Sequence, residues 1–236
     1  MAKNDNHIVG IDLGTSKIGV IVAKVLENGE IEVVGLGKSD SKGMRRGSIS
    51  NLKEVETSVK NSVIEAESMS GYSIQRAYVS VGGCYLNSIN SRGVVVVSSK
   101  DKVIEPIDVS RVLQNASSIR VSSDQKIFHT IPQEFIVDDQ DGISDPIGMH
   151  GQRLEANVHI IIASTTTLQN IATVIHNCGI EVEDFVFNLL ADSYAVLTPE
   201  EMELGVALIN IGQAKFDNQY EDYLVHSIQL LSNLSI

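Results

Sequence analysis

Cysteine is nearly absent from this sequence, which has two in 236 residues, Cys84 and Cys178, far apart in the chain. That rules out a disulfide framework and fits buried thiols in a reducing compartment. Proline is scarce too, at four residues, and the hydrophobic fraction is 43%. Those values describe an ordinary soluble globular protein, not a proline-rich or low-complexity one. Basic residues are outnumbered, 18 Lys and Arg against 30 Asp and Glu, for a net charge of −12. A general nucleic-acid binder needs a basic surface, so that class is excluded, and so is direct adhesion to an anionic membrane. No apolar run approaches the length needed to span a bilayer. The start, MAKNDNH, is polar and carries no signal-peptide pattern, so a cytoplasmic protein is expected. There is no tandem repeat. The length suits one large domain or two small ones.

The most informative stretch is His7 to Lys24, HIVGIDLGTSKIGVIVAK. Ile8, Val9 and Ile11 lead into Asp12-Leu13-Gly14-Thr15-Ser16-Lys17, and Ile18, Val20, Ile21 and Val22 follow. Two β-branched runs joined by a short turn predict a β-hairpin. Its tip is chemically loaded. Gly14 has no Cβ to keep a ligand away from the backbone. Thr15, Ser16 and the tip N–H groups can donate to phosphate oxygens, and Lys17 can supply a positive charge. Asp12 would repel a bare phosphate, so its place is beside a divalent cation or a water held by one. An ordinary hairpin built from turn-forming residues accounts for the same letters. The spacing matches neither the nucleotide P-loop nor the dinucleotide fingerprint.

A third strand is predicted over 30–38, after the turn Glu27-Asn28-Gly29. Ser39 to Gly47 is a polar loop in which Arg45 and Arg46 either face solvent or meet a partner. A helix is predicted from the cap Asn51 to Gly71, with Val55, Val59, Val63 and Met69 near one face. Three meandering strands and a helix open the ribonuclease-H-like α/β core of actin, Hsp70 and sugar kinases.

Residues 75–164 read as an inserted α+β unit. Within it, Arg76–Val81 alternates as a strand, and Arg92–Ser98, with valines at 94 to 97, reads as a buried one. Pro106–Ser118 is a predicted helix with Val109, Val112 and Leu113 facing in. Lys126–Val137 is a strand pair or one long bent strand, because Pro132 interrupts a central ladder. Asp138–Gly151 is a loop and Glu155–Ser164 a strand. His129 and His159 read as core or edge residues of strands, since no carboxylate or cysteine stands at ligand spacing. A helix over Thr165–Cys178, a strand over Ile180–Phe187, a helix over Asn188–Leu197 and a strand over Leu204–Ile211 follow.

Several separated motifs, in order, resemble one family, the bacterial cell-division protein FtsA, which is actin-like. Gly10 to Lys17 resembles that family's first phosphate hairpin. Lys42-Gly43-Met44-Arg45-Arg46-Gly47 and the helix ending near Gly71 resemble its next signature. The most specific stretch is His129-Thr130-Ile131-Pro132-Gln133-Glu134-Phe135, with Asp145-Pro146, Gly148-Met149, Gly151 and Arg153-Leu154-Glu155-Ala156. Ala191 to Thr198 and Glu203 to Leu208 resemble the connecting helix and the strand after it. The resemblance covers residues 7 to about 212.

It implies an actin-type first lobe (1–74 and 165–212, with the second lobe beginning near 199) and the inserted unit at 75–164. It further implies ATP with Mg²⁺ as cofactor, held by Asp12, Gly14, Thr15, Ser16, Lys17 and Gly212, with Asp12 reaching the metal through water. Arg45, Arg46, Glu134 and Arg153 become interaction residues. The implied partners are FtsZ, later division proteins, further copies in filaments and the inner membrane, with no enzyme activity beyond a weak ATPase. After Gly212 the resemblance stops, where the family continues with a second phosphate hairpin. Asn210 stands where that hairpin has an acidic residue. The expectation is therefore a truncated chain whose second lobe, adenosine pocket, FtsZ-docking surface and membrane-anchoring helix are missing, and which binds ATP weakly or not at all. Residues 213–236 are expected to be an aberrant tail, with Tyr220, Tyr223, Leu224, Ile228, Leu231 and Leu234 at helical spacing. Two other readings stay open: a small-molecule kinase of the same superfold, and an actin-like pilus-assembly protein.

Overall fold

The computed structural model describes residues 6–45, 47–83, 85–210 and 228–231. In chain order the elements are β1 His7–Leu13, β2 Lys17–Val25, β3 Ile31–Asp40, β4 Met44–Arg45, β5 Ser48–Ile49, α1 Leu52–Ser70 and β6 Arg76–Val81. Next come β7 Leu86–Val96, α2 Pro106–Ala116, β8 Gln125–Val137, β9 Gln140–Ile143 and β10 Arg153–Ser164. Then follow α3 Thr165–Asn177, β11 Glu181–Phe187, α4 Asn188–Val196, α5 Pro199–Leu204, β12 Val206–Ile209 and β13 Ile228–Leu231. Two compact units emerge, one mainly Met1–Tyr85 with Thr166–Ala195, the other mainly Leu86–Thr165, with which Val196–Ile209 also groups.

The first unit is built on a five-stranded sheet of order β11-β6-β1-β2-β3. β1, β2 and β3 form the antiparallel meander, and β6 and β11 extend it in parallel to β1. Alternation in β1 buries Val9, Ile11 and Leu13 and turns Ile8 and Asp12 outward. The predicted helix is present as α1, with Asn51 as its N-cap and Gly71, in the left-handed region, as its C-cap. Its buried stripe is Val55, Ser58, Val59, Ser62, Val63 and Ala66. Met69 was expected on that stripe, but it is 65% exposed, one position short of the next inward-facing site. The small residues have a cause. A Cβ on Gly37 of β3 would fall 1.8 Å from the Ser62 carbonyl oxygen, so helix and sheet meet backbone to backbone. The Ser62 hydroxyl uses this proximity to donate to the Ile18 carbonyl at 3.1 Å.

The inserted unit starts later than expected. Arg76–Val81 buries Ala77, Val79 and Val81 in the first unit and pairs in parallel with β1. The boundary therefore lies near Leu86, not Gln75. The unit's own sheet has the order β7-β10-β8-β9, and every pair in it is antiparallel. Leu154, Ala156, Val158 and Ile160 of β10 form the spine of a core shared with Val112 and Ala116 of α2. Val94–Val97 is not a run buried on both faces. Val95 joins the core and Val97 is buried, whereas Val94 and Val96 are 44% and 66% exposed. β7 is an outer strand with one face toward the core, so its side chains alternate. β8 is one bent strand, with register shifts against β10 between Asn157 and Val158 and between Ile161 and Ile162. β9 pairs with it only at Phe135 and Val137, which leaves Pro132 where no outer ladder needs its missing N–H.

The outer edge of β7 is held by α2. The Val94 N–H donates to Asn115 Oδ1 at 2.9 Å, and Arg111 donates to the Val96 carbonyl at 3.4 Å. Asp108, fully buried, accepts from the Ser98 N–H at 3.3 Å, the Ser98 hydroxyl at 2.9 Å, the Glu105 N–H at 3.2 Å and Arg111 at 3.1 Å. Burial pushes the Asp108 carboxyl up, but these donors outweigh it and hold the group below its ordinary value.

The tail differs from the predicted amphipathic helix at two of its positions. Ile228 and Leu231 belong to β13, which pairs antiparallel with β12. Tyr220, Tyr223, Leu224 and Leu234 lie outside the described residues. Among the described residues, no helix is long and apolar enough to cross a membrane.

Two outcomes are expected. Gly37→Ala, which drives a methyl into the α1 backbone, lowers stability by about 3 kcal/mol or more, measured by urea unfolding followed by circular dichroism. Asp108 has a depressed folded value, so its contribution is present above the unfolded carboxyl value near ~3.9 and is lost as pH falls through the lower folded one. The urea midpoint therefore drops on acidification below about pH 4, and Asp108→Asn flattens that drop.

Candidate functional site

The β1–β2 ladder runs without a break to Asp12↔Gly19 and Leu13↔Ile18, leaving Gly14, Thr15 and Ser16 as the turn. The turn itself demands Gly14. A Cβ there would fall 2.7 Å from the Lys17 carbonyl oxygen, whether or not a ligand approaches. Thr15 Oγ1 accepts the Gly47 N–H at 3.2 Å, a bond that uses the hydroxyl's lone pair and not its proton. The Ser16 carbonyl accepts the Ser41 N–H at 3.0 Å. Asp12 and Lys17 are exposed, and Lys17 pairs in register with Asp40 of β3.

A second loop closes on this tip. Gly47 has φ +77°, which an L side chain adopts only with strain, and its Cβ would lie 2.6 Å from the Gly82 carbonyl oxygen. Gly82 in turn abuts the Asn188 side chain at the start of α4. The hairpin tip, the loop carrying Gly47 and the ends of β6 and β11 thus converge where the parallel strands finish. In open α/β sheets, that is where ligands bind. Asp12 and Ser80 sit side by side there in the β1–β6 register, and the Ser80 hydroxyl donates to Asp12 Oδ1 at 2.5 Å.

The expected site residues are therefore partly gathered. Asp12, Gly14, Thr15, Ser16 and Lys17 share one tip, while Gly212 and Arg46 lie outside the described residues. Arg45, exposed in β4, belongs to the first unit, whereas Glu134 and Arg153 belong to the second. Both of the latter are tied into their own sheet. Glu134 accepts from Asn157 Nδ2 at 2.7 Å and from the Gly142 N–H at 3.2 Å. Arg153 donates to the Asp138 carbonyl at 2.8 Å and to Glu155 at 3.0 Å.

Three groups escaped the sequence reading. Ser80 was one polar letter in an alternating strand. Asp192 of α4 accepts from Asn210 Nδ2 at 2.5 Å, so the neutral amide at 210 serves as a donor to a carboxylate. Glu155, with its side chain 3% exposed, bridges Arg92 and Arg153. Glu155 stood in the Arg153-Leu154-Glu155-Ala156 motif and opened the apolar run EANVHIIIAS, but neither signal showed that it bridges two arginines.

Of the histidines singled out, His159 is half-buried with Nδ1 2.7 Å from Asn90 Oδ1, and burial pushes it below its ordinary value. The half-buried Cys178 thiol lies 3.6 Å from the Glu56 carbonyl, and burial raises it above its ordinary value. Among the described residues, no three of His, Cys, Asp and Glu gather to hold a metal ion. The donors present at the tip, two hydroxyls and one ammonium, beside the Asp12 carboxylate and with Asp40 in register with Lys17, fit a phosphate accompanied by a hydrated cation.

Known proteins were compared with the chain. Residues 83–162 match the family described as "SHS2 domain inserted in FTSA". The chain is 39% identical over 210 residues to the cell division protein FtsA of Pseudomonas aeruginosa, covering 89% of this chain and 50% of that protein. It is 44% identical over 212 residues to the FtsA of Borreliella burgdorferi (90% and 51%), and 35% identical over 210 residues to that of Escherichia coli K12 (89% and 50%). The chain thus spans about half the length of the curated relatives it matches. A solved structure, titled "PilM-PilN type IV pilus biogenesis complex", superposes with a TM-score of 0.60 at 12% identity, covering 87% of this chain and 55% of that one. At that identity the likeness establishes the fold alone, an actin-like α/β lobe.

Breaking the buried Glu155 bridge is expected to cost about 1–3 kcal/mol, because two charge-assisted hydrogen-bond sets lose their acceptor charge. Glu155→Gln compared with the unaltered chain in urea unfolding measures it.

Proposed function

On the premise that the chain belongs to the FtsA family of cell-division proteins, we propose that it serves as an ATP-binding, actin-like adaptor of the division machinery. Such an adaptor tethers the FtsZ ring to the cytoplasmic face of the inner membrane at the septum and recruits later division proteins. One observation carries the reading: the inserted unit matches the domain described for this family, within a chain similar to FtsA over about nine-tenths of its length. The inserted unit is the proposed recruiting surface, through Glu134 and Arg153, and Arg45 and Arg46 contribute a second contact.

In the proposed nucleotide site, Thr15 and Ser16 bind phosphate oxygens, Lys17 offsets their charge, and Asp12 accepts from a water on the cation. A bound Mg-nucleotide supplies those oxygens and that cation. The role is binding and assembly, with at most a weak ATPase. The proposed site uses one such hairpin, and a single hairpin is expected to hold ATP weakly.

Three measurements test this. Calorimetric titration with Mg-ATP is expected to give binding weaker than micromolar, and a micromolar or tighter dissociation constant overturns the single-hairpin reading. The immobilised chain is expected to capture late division proteins from a purified set that also holds pilus-assembly components. Capture of the pilus components instead favours the pilus reading. Turnover of sugars or glycerol in a coupled phosphoryl-transfer assay favours the kinase.

A further inference from the structure

We propose that Ser80 is a positioning residue that fixes the Asp12 carboxylate for a hydrated divalent cation at the hairpin tip. The inference rests on the reading of that tip as a phosphate and cation site. Asp12 and Ser80 stand opposite each other in the parallel β1–β6 register, so their side chains leave the sheet together on one face. The Ser80 hydroxyl donates to Oδ1 at 2.5 Å. The other oxygen, Oδ2, lies 3.7 Å from the position a Cβ would take on Gly14, so it faces the turn. One oxygen is thus anchored to the neighbouring strand, and the second faces the turn that carries Thr15 and Ser16.

A carboxylate on a β-strand has two soft torsions, and an exposed one samples several rotamers. Asp12 is exposed, so the core does not hold its side chain in place. The hydrogen bond from Ser80 does. It leaves the outward oxygen with its lone pairs free to accept from a metal-bound water, which is how Mg²⁺, reluctant to shed its hydration shell, is engaged. β6 is itself held on both sides, by β1 and β11, so the hydroxyl is delivered from a rigid strand. Thr at position 80 retains the hydroxyl and suits a strand, whereas Ala keeps the strand and loses the donor.

The test uses the whole chain and Mn²⁺ alone, read as paramagnetic broadening of the Gly14, Thr15 and Ser16 amides in a nitrogen–proton spectrum. The unaltered chain is expected to show broadening confined to the tip, and Asp12→Ala to abolish it. Ser80→Ala is expected to need about 5-fold more Mn²⁺ for the same broadening, with the remaining amide spectrum unchanged, and Ser80→Thr to restore the original midpoint. Equal midpoints for Ser80→Ala and the unaltered chain overturn the inference. So does the absence of tip broadening in the unaltered chain. A parallel titration with ATP separates the two readings: no ATP binding with the Mn²⁺ pattern intact removes the nucleotide proposal and leaves Ser80 in its role.

Discussion

β1 is the strand on which the first unit depends. It is flanked by an antiparallel partner and a parallel one, so both sides of its backbone are committed. That double pairing fixes which of its side chains turn inward. Ile11 and Leu13 enter the core and Asp12 cannot. A slip of one residue would bury the carboxylate and expose two large apolar groups, so the register that stabilises the sheet also sets the chemistry of its end. The close seating of α1 on β3 has the same character. Gly37 and Ser62 are small because backbone meets backbone, and at the start of the loop leading to Gly47 the Lys42 N–H donates to Ser58 of the same helix at 3.3 Å.

The inserted unit has its own way of staying folded. Its core is apolar and continuous, and among the described residues two of its carboxylates, Asp108 and Glu155, are buried with donors around them. Asp108 joins the start of a helix to the end of a strand, and Glu155 joins two arginines across a sheet face. Removing one partner of such a group leaves the other short of hydrogen bonds, which makes them anchors of register more than sources of net stability.

Much of this was legible in the letters. The hairpin, the capped helix and the inserted strands follow from β-branched runs, a capping Asn51 and a terminal Gly71, all short-range signals. The reading failed where the deciding partner is distant in sequence. Arg76–Val81 looks the same in either unit until its parallel pairing with β1 is known. Four valines in a row announce burial on both faces, but whether a strand is central or outermost is a property of the sheet. Met69 missed its helical face by one residue, an error the helix period makes easy. Most of the tip residues were found because they are contiguous. Ser80 was not, because only strand pairing brings it to Asp12.

The helix α2 along the margin of β7 has a further consequence. Outermost strands expose a row of main-chain donors and acceptors that a stray polypeptide can zip onto, and long apolar ones invite fibrils. The exposed valines at 94 and 96 make this stretch such a liability. Asn115, Arg111 and Asp108 occupy the groups at Val94, Val96 and Ser98 with their side chains. The helix therefore acts as a fence, and that half of the margin has no free ladder to offer a newcomer.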